Sequence, residues 1–337
     1  MDLDRIIGDA HALELQAGPE QQKLSERYLI PKLNAVLERM AVFRQEVDDS
    51  YAPKIAKARQ ANTPGVYGEI QMRNYPIGFC KQIREGVLAR MLTDPLIQDL
   101  VLKGLTLRRV FIFLKGIYFQ NAIQLGNYYL DAANDTVFTN KPKLDWAPID
   151  QLDFENLNSW SRFATVAKTY LKIEIYPNLL FPLAFPASPF FAIRPNGRLD
   201  FLIAQNQILC KDLGEHMHRT LTLLDDSEWM QRQLPEPYVQ LLKRSCGGNL
   251  FEAFPLEFTP VTIEHIRNQI IPQFITLSEQ PSKQSFKTVK SYFDLIDKSS
   301  KRLTALNLKP SPDQMTQLRT EQKIPPEVDS TASLSLD

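Results

Sequence analysis

The sequence predicts a mainly α protein: a multi-helix, bundle-like core with one short β-hairpin and a disordered C-terminal tail. Two observations predict this class: glycine is scarce, at 13 of 337 residues, and the strongest apolar periodicities are helical. An Asn-Gly pair between two β-rich runs predicts the hairpin. We expect a helical globular region at 1–309, in which a connection near 140–150 can separate two subdomains, and an acidic tail at 310–337.

The first helix, predicted at 29–60, carries the clearest apolar stripe. Six large apolar side chains follow one another at spacings of four and three residues: Leu29, Leu33, Val36, Met40, Phe43 and Val47. Such a stripe serves either packing within a helical bundle or a coiled-coil dimer. One seam of under three heptads favours packing within the chain.

Capping and turn residues place the remaining elements. Asp94 followed by Pro95 is a helix start signal, because Asp caps the first turn and Pro fits its first position. Asn196 and Gly197 tolerate the positive φ that a hairpin turn requires. We predict strands at 190–193 and 198–203, and helices at 76–92, 95–103, 107–133, 154–172, 205–224, 228–244, 263–277 and 285–306.

Charge is balanced overall, with 39 basic and 39 acidic residues, which gives no general attraction to nucleic acid or an anionic membrane. Two stretches are imbalanced: 281–309 has seven Lys or Arg and two Asp, and 310–337 has five acidic and two basic residues. The tail composition predicts disorder. A solvated helix face is the favoured interpretation of the basic stretch. Contact with phosphate or with an acidic protein surface is the alternative, and nucleic-acid binding is disfavoured.

Three well-separated cysteines, Cys80, Cys210 and Cys246, are typical of free thiols in a reducing compartment. The N-terminus lacks the basic start and apolar core of a secretory signal, so we expect a cytoplasmic protein.

Two charge-poor stretches fail as membrane spans. The first, 110–130, contains four Gln or Asn, and the second, 175–193, contains four prolines, both of which oppose a helix in lipid.

Four polar residues of the predicted helix 107–133 recur at spacings of 4, 3 and 4 and would share one helix face: Gln120, Gln124, Asn127 and Asp131. A solvent-facing strip normally uses Lys, Glu and Arg, whereas amides can hydrogen bond in the interior without burying charge. We therefore expect this polar row to be hidden. A structural hydrogen-bond network is the favoured interpretation, and simple solvent exposure and a ligand-binding site are the alternatives.

Candidate catalytic residues are few. Asp212 lies four residues before His216 on the predicted helix 205–224, where a carboxylate can orient or charge the imidazole. Cys80 lies near a predicted helix N-terminus, where backbone donors and neighbouring cations can lower a thiol pKa, although a buried thiol is the favoured interpretation. His216 and His218 project about 200° apart on a helix, which opposes a shared metal ion. We expect no metal and no cofactor.

The charge-free, proline-rich segment offers a candidate partner-binding surface. It contains four aromatic anchors, Phe181, Phe185, Phe190 and Phe191, which can dock a partner if they are exposed; burial against the helices is the default. No P-loop, dinucleotide-binding or hydrolase motif occurs in the sequence. We therefore expect function by protein binding or regulation; the alternative is a helical enzyme or small-molecule receptor whose polar site is lined by 107–133.

Overall fold

A computed structural model describes residues 13–60, 72–203, 207–246, 260–279 and 283–325. These residues fall into two compact units, 13–156 and 157–325, which we call the N-terminal and C-terminal units. The chain passes from one unit to the other after Asn156. The division expected near 140–150 lies inside the N-terminal unit.

The N-terminal unit contains a five-stranded antiparallel sheet. Its strands follow the order β4-β3-β2-β1-β5 and form a half-barrel. The prediction of a mainly α, bundle-like protein with one hairpin is therefore wrong, and the fold is α+β. The strands are β1 Leu107–Leu114, β2 Tyr118–Leu125, β3 Tyr128–Asp131, β4 Asp145–Pro148 and β5 Phe154–Asn156.

The helix predicted at 107–133 is replaced by β1, β2 and β3 because tight turns interrupt this stretch. Lys115 and Gly116 both have positive φ between β1 and β2, and Gly126 has a φ of 58° between β2 and β3. Positive φ is what two-residue hairpin turns require. Aromatic and β-branched side chains are frequent in the three strands, and such side chains favour a pleated surface.

Helices pack on one face of this sheet, the face that carries Ile123, Leu125 and Leu130. All six residues of the predicted stripe from Leu29 to Val47 are buried in this core, which confirms that the stripe packs within the chain. The predicted helices 76–92 and 95–103 form over shorter ranges. The helices are α1 Pro19–Leu24, α2 Leu33–Gln60, α3 Cys80–Met91 and α4 Pro95–Leu102.

The C-terminal unit combines a three-stranded antiparallel sheet with helices. The sheet has the order β6-β7-β8, with β6 Glu174–Pro177, β7 Phe190–Ile193 and β8 Leu199–Leu202. The hairpin predicted at Asn196-Gly197 is confirmed, since β7 pairs with β8. The helices are α5 Trp160–Leu171, α6 Gln207–Gly214, α7 His218–Leu224, α8 Ser227–Met230, α9 Glu236–Cys246, α10 Ile263–His265, α11 Ile271–Glu279, α12 Lys283–Leu306 and α13 Pro312–Thr320.

The basic stretch forms the amphipathic helix α12. Val289, Ile296 and Leu303 are buried on its inner side, as their spacing predicts. Its outer side is basic and exposed, with Lys287, Lys290, Lys298 and Lys301.

The helix α13 and the residues after it correct the expectation of a disordered tail from 310. Ser311 caps α13 with its side chain. Leu318 and Ile324 are buried, and the Arg319 guanidinium donates a hydrogen bond to the Pro195 carbonyl in the hairpin turn. The low apolar content of the tail concealed these few anchors. The part of the predicted tail at 326–337 lies outside the described residues.

Removal of the chain after Lys309 is expected to lower the melting temperature. The truncation removes Leu318 and Ile324 and so exposes the surface on which these two side chains pack. The single substitution Leu318→Ala should cost about 2–5 kcal/mol, the range for deleting a buried leucine side chain. Urea denaturation measures this loss, with the exposed Thr316→Ala as the matched control. Unchanged stability of both the truncated chain and Leu318→Ala would contradict the packing of this segment.

Candidate functional site

The four residues of the polar row lie on or beside adjacent strands of the five-stranded sheet. Gln120 and Gln124 point to one face of β2, Asn127 lies in the turn after it, and Asp131 ends β3. Their exposed fractions are 2%, 1%, 6% and 2%. The row is therefore hidden, as its amide composition indicates, but its members lie on paired strands and the turn between them, not on a helix face.

Asp131 is the centre of one buried cluster. Gln120 Nε2 donates to its Oδ2 at 2.6 Å, the Tyr129 hydroxyl donates to the same oxygen at 3.2 Å, and the Ala133 N–H donates to Oδ1 at 2.7 Å. Burial raises the pKa of Asp131 to about 7, because these three hydrogen bonds offset the loss of water only in part and the charge of Asp145 adds to the rise. The folded chain therefore keeps this carboxyl protonated at mildly acidic pH.

Gln124 and Asn127 form separate contacts. The Arg108 guanidinium donates to Gln124 Oε1 through Nε at 3.0 Å and Nη2 at 2.8 Å. The Asn127 N–H donates to Ser25 Oγ at 2.8 Å, while its side-chain oxygen has no hydrogen-bond partner among the described residues. The structure thus joins Gln120 to Asp131 but divides the predicted four-residue site.

A buried ionic network surrounds Arg44, a residue that the sequence reasoning did not single out. Its guanidinium donates to Asp135 Oδ1 at 2.8 Å and Oδ2 at 3.1 Å, to the Ala132 carbonyl at 2.8 Å and to Asp48 Oδ1 at 2.9 Å. Burial lowers the pKa of Arg44, but the hydrogen bonds and charges of Asp135 and Asp48 outweigh it and leave the pKa above its ordinary value. Arg44 is therefore a fully charged group in the interior.

The same network clamps the connection between β3 and β4. Asp135 holds the beginning of this connection on Arg44, and the Lys143 ammonium holds its end by donating to Asp48 Oδ2 at 2.6 Å. Burial raises the pKa of Asp48, but hydrogen bonds from Lys143 and Tyr75 and the charge of Arg44 reverse this effect and lower it. Both ends of the segment 135–143 are thereby fixed to α2.

The clamped segment carries an exposed phenylalanine at one end of the sheet. The topology places this segment beside the β1–β2 turn, and Lys141 Nζ lies 5.2 Å from the Phe138 ring and 5.7 Å from the Tyr118 ring. Phe138 is 54% exposed and Ile117 is 57% exposed. We call Lys115, Ile117, Phe138 and Lys141 the loop-end surface. Gly116 is the sequence signal for the β1–β2 turn, and recognition of this turn would have placed Ile117 in it.

Cys80 begins α3, close to the helix N-terminus that the sequence predicts. Asn121 Nδ2 lies 3.3 Å from its sulfur. Burial raises the pKa of the Cys80 thiol, and the hydrogen bond from Asn121 and the charge of Arg84 offset this rise only in part. The thiol is therefore protonated at neutral pH, which favours the structural interpretation of Cys80 over a nucleophilic one.

The structure separates Asp212 from His216, the second candidate pair. The predicted helix 205–224 is broken, because His216 and Met217 have φ of 49° and 60° between α6 and α7. Asp212 is buried and caps α7 by accepting hydrogen bonds from the Arg219 N–H at 2.6 Å and the Thr220 N–H at 2.9 Å. His216 is instead exposed, with Nδ1 3.7 Å from Glu279 Oε1. Asp212 is thus a capping group in this arrangement.

The aromatic residues of the proline-rich segment lie in the core of the C-terminal unit. Phe181, Phe185, Phe190 and Phe191 are all fully buried. Phe191 stacks on Phe201 of β8 with ring centroids 5.3 Å apart. This burial leaves the four side chains inaccessible to a partner. Phe181 and Phe191 pack with Phe201 on one face of the three-stranded sheet, whereas Phe190 points to the other face and packs against Trp229.

Within the described ranges, no helix combines the length and apolarity needed to cross a membrane. No three His, Cys, Asp or Glu side chains among the described residues are grouped so that they could hold a metal ion. The side chain of Cys246 lies outside the described residues.

Comparison of the chain with protein-family models, with curated proteins and with solved structures found no significant match. Function must therefore be inferred from the geometry and chemistry of the chain itself.

Between pH 4 and pH 7 the free energy of unfolding is expected to fall as pH rises. Folded Asp131 keeps its proton up to a pKa of about 7, against an ordinary value of 3.8, so the folded state binds more protons over this range. The stabilisation is complete below the unfolded pKa and is lost as pH rises through the folded pKa, a change of about 4 kcal/mol. Urea denaturation across this range should show a flatter profile for Asp131→Asn than for the unchanged protein; equal slopes would contradict the assignment.

Loss of the Arg44 guanidinium is expected to destabilise the N-terminal unit strongly. Arg44→Met leaves Asp135 buried without its cation, which should cost about 3–5 kcal/mol. The double variant Arg44→Met with Asp135→Asn should recover part of this loss, because the stranded charge is then removed. Chemical denaturation measures both; Arg39→Met, at an ion pair whose arginine is 58% exposed, is the control and should change stability by less than about 1 kcal/mol. A double variant less stable than Arg44→Met would contradict the network.

Proposed function

We propose that this protein acts in the cytoplasm by binding another protein, and that the loop-end surface is its binding site. The observation that carries the proposal is the exposure of Phe138 and Ile117, at 54% and 57%, at one end of a well-packed sheet. Large exposed apolar side chains with a cationic rim are typical of contact sites, because aromatic anchors supply most of the energy of an interface.

Rigid presentation supports this role. Asp135 and Lys143 fix both ends of the segment that carries Phe138, and Lys141 Nζ lies over its ring. A side chain that is already ordered loses less conformational entropy when a partner binds. The clamp therefore favours tight contact from a small number of anchors.

The edges of the five-stranded sheet favour binding of a partner through side-chain contacts over addition of a partner strand. The outward N–H of Trp146 in the edge strand β4 donates to the Asp145 carboxylate at 2.9 Å, and Pro148 has no N–H to offer. On the other side of the sheet, β1 extends beyond its three-residue pairing with β5, and there the Phe111 N–H donates to the Leu13 carbonyl at 3.0 Å. Such blocked edges oppose pairing with an extended peptide.

A cytoplasmic location is supported by the cysteines. Cys80 and Cys210 are free thiols, which a reducing compartment preserves. The balanced net charge favours a protein partner over nucleic acid, and so does the absence of an exposed aromatic row among the lysines of α12 whose side chains are described, 287–306.

The alternative function, an enzyme or small-molecule receptor built on the polar row, has less support. Gln120, Gln124 and Asp131 direct their described hydrogen bonds to neighbouring groups of the chain. A site that recognises a ligand instead keeps a few polar groups converging on open space. We therefore assign Gln120, Gln124 and Asp131 to the stability of the sheet.

Photocrosslinking tests the proposal. Benzoylphenylalanine at position 138, introduced in the native host, is expected to yield a defined protein adduct that mass spectrometry identifies. Ile117→Asp in the same chain should weaken binding of the identified partner about 30-fold, the effect of losing an anchor worth about 2 kcal/mol. The same photoreactive group at Leu102, which is 88% exposed, is the matched control. Identical adducts from positions 138 and 102, or an adduct insensitive to Ile117→Asp, would refute the proposal.

A further inference from the structure

The C-terminal unit contains a surface groove of about 420 Å³, outside the loop-end surface and unused by the proposed function. Its lining comes from one face of α5 and from α8 with the turn that follows: Thr165, Lys168, Thr169, Glu228, Trp229 and Arg232. The volume lies in the range of small-molecule sites, which begins at roughly 300 Å³.

Two cations converge at one side of this groove. Lys168 Nζ lies 3.1 Å and Arg232 Nη2 lies 2.6 Å from the same oxygen, Oε2 of Glu174. One carboxylate thus neutralises only one of the two positive charges. An ammonium has three N–H groups and a guanidinium has five, so both retain donors for a second carboxylate. Glu174 shows within the chain how these cations bind such a group.

Aromatic rings hold the guanidinium in place. The Arg232 carbon Cζ lies 4.8 Å from the centroid of the Tyr176 ring and 5.7 Å from that of the Trp229 ring. These cation–π contacts and the hydrogen bond to Glu174 restrain the guanidinium. Trp229, at 4% exposure, is itself fixed in the core, so it gives the groove a rigid wall.

The remaining lining offers acceptors. Glu228 is exposed on α8. The hydroxyls of Thr165 and Thr169 donate to the carbonyls of Ser161 and Thr165 at 3.0 and 3.3 Å, which leaves their oxygens to accept. A positively charged group therefore has partners in the groove, just as a carboxylate does.

We propose that this groove binds a small zwitterion, an α-amino acid or a dipeptide. Its carboxylate binds Lys168 and Arg232, and its ammonium binds Glu228 and the threonine oxygens. The carboxylate of this occupant balances the one positive charge that Glu174 leaves without a counter-charge, and its ammonium balances the negative charge of Glu228. By contrast, Glu228 repels a simple anion and Lys168 repels a simple cation.

Titration calorimetry on the full chain tests the site, after a thermal-shift screen with the free α-amino acids and glycyl dipeptides. The best-binding zwitterion is compared with its N-acetyl derivative, which lacks the ammonium, and with its amide, which lacks the carboxylate. We expect each derivative to bind at least about tenfold more weakly, because each loses one charged contact. Lys168→Met and Glu228→Gln should each weaken binding of the zwitterion by a similar factor.

Matched controls remove an exposed charge elsewhere in the same unit. Lys290→Met on α12 and Glu264→Gln on α10 should leave the affinity unchanged. Absence of binding by every compound in the screen would overturn the proposal, and so would equal binding by the N-acetyl derivative or an affinity insensitive to both Lys168→Met and Glu228→Gln. Photocrosslinking from position 138 reports on the other unit, so failure of one proposal is distinguishable from failure of the other.

Discussion

The arrangement of the N-terminal unit depends on the hydrogen bonds that the buried guanidinium of Arg44 donates. This guanidinium joins α2 to the end of β3 through Asp135 and the Ala132 carbonyl, and it holds Asp48 in position for Lys143. An arginine can do this because its planar group donates in several directions at once and remains charged when buried. Both ends of the long β3–β4 connection are consequently held against α2, although the connection contains little regular secondary structure.

Arg44 and Asp131 show two different solutions to a charge in the interior. Arg44 meets two carboxylates, and its pKa rises. The donors described for Asp131 are a tyrosine, an amide and a backbone N–H, all uncharged, so burial dominates and its pKa rises to about 7. Asp131 can therefore be neutral where Arg44 cannot. The polar face of the sheet tolerates a carboxyl because the folded chain keeps it protonated into the neutral range.

Local signals in the sequence predict much of the helical structure, but not the main sheet. The stripe from Leu29 to Val47 favours packing within the chain and the Asn196-Gly197 turn predicts a hairpin, and both predictions are confirmed. The spacing of Gln120 and Gln124 is ambiguous, because residues four apart share a face of a helix and also a face of a strand. Gly116 and Gly126 resolve the ambiguity, since positive φ at both interrupts any helix. The candidate pair Asp212 and His216 fails for the same reason, a left-handed turn within an apparent helix.

The candidate sites depend on contacts that no local pattern encodes. Arg44 and Asp135 are 91 residues apart, and their pairing exists only once β3 lies beside α2. The exposure of Phe138 also depends on residues distant in sequence. From the local sequence alone, a single phenylalanine in a polar connection is compatible with a buried anchor and with a surface contact. Asp135 and Lys143 fix the two ends of this connection, and Phe138 is 54% exposed between them. Exposure of an apolar ring to water is unfavourable in free energy. A partner that covers the ring removes this apolar surface from water, which favours binding.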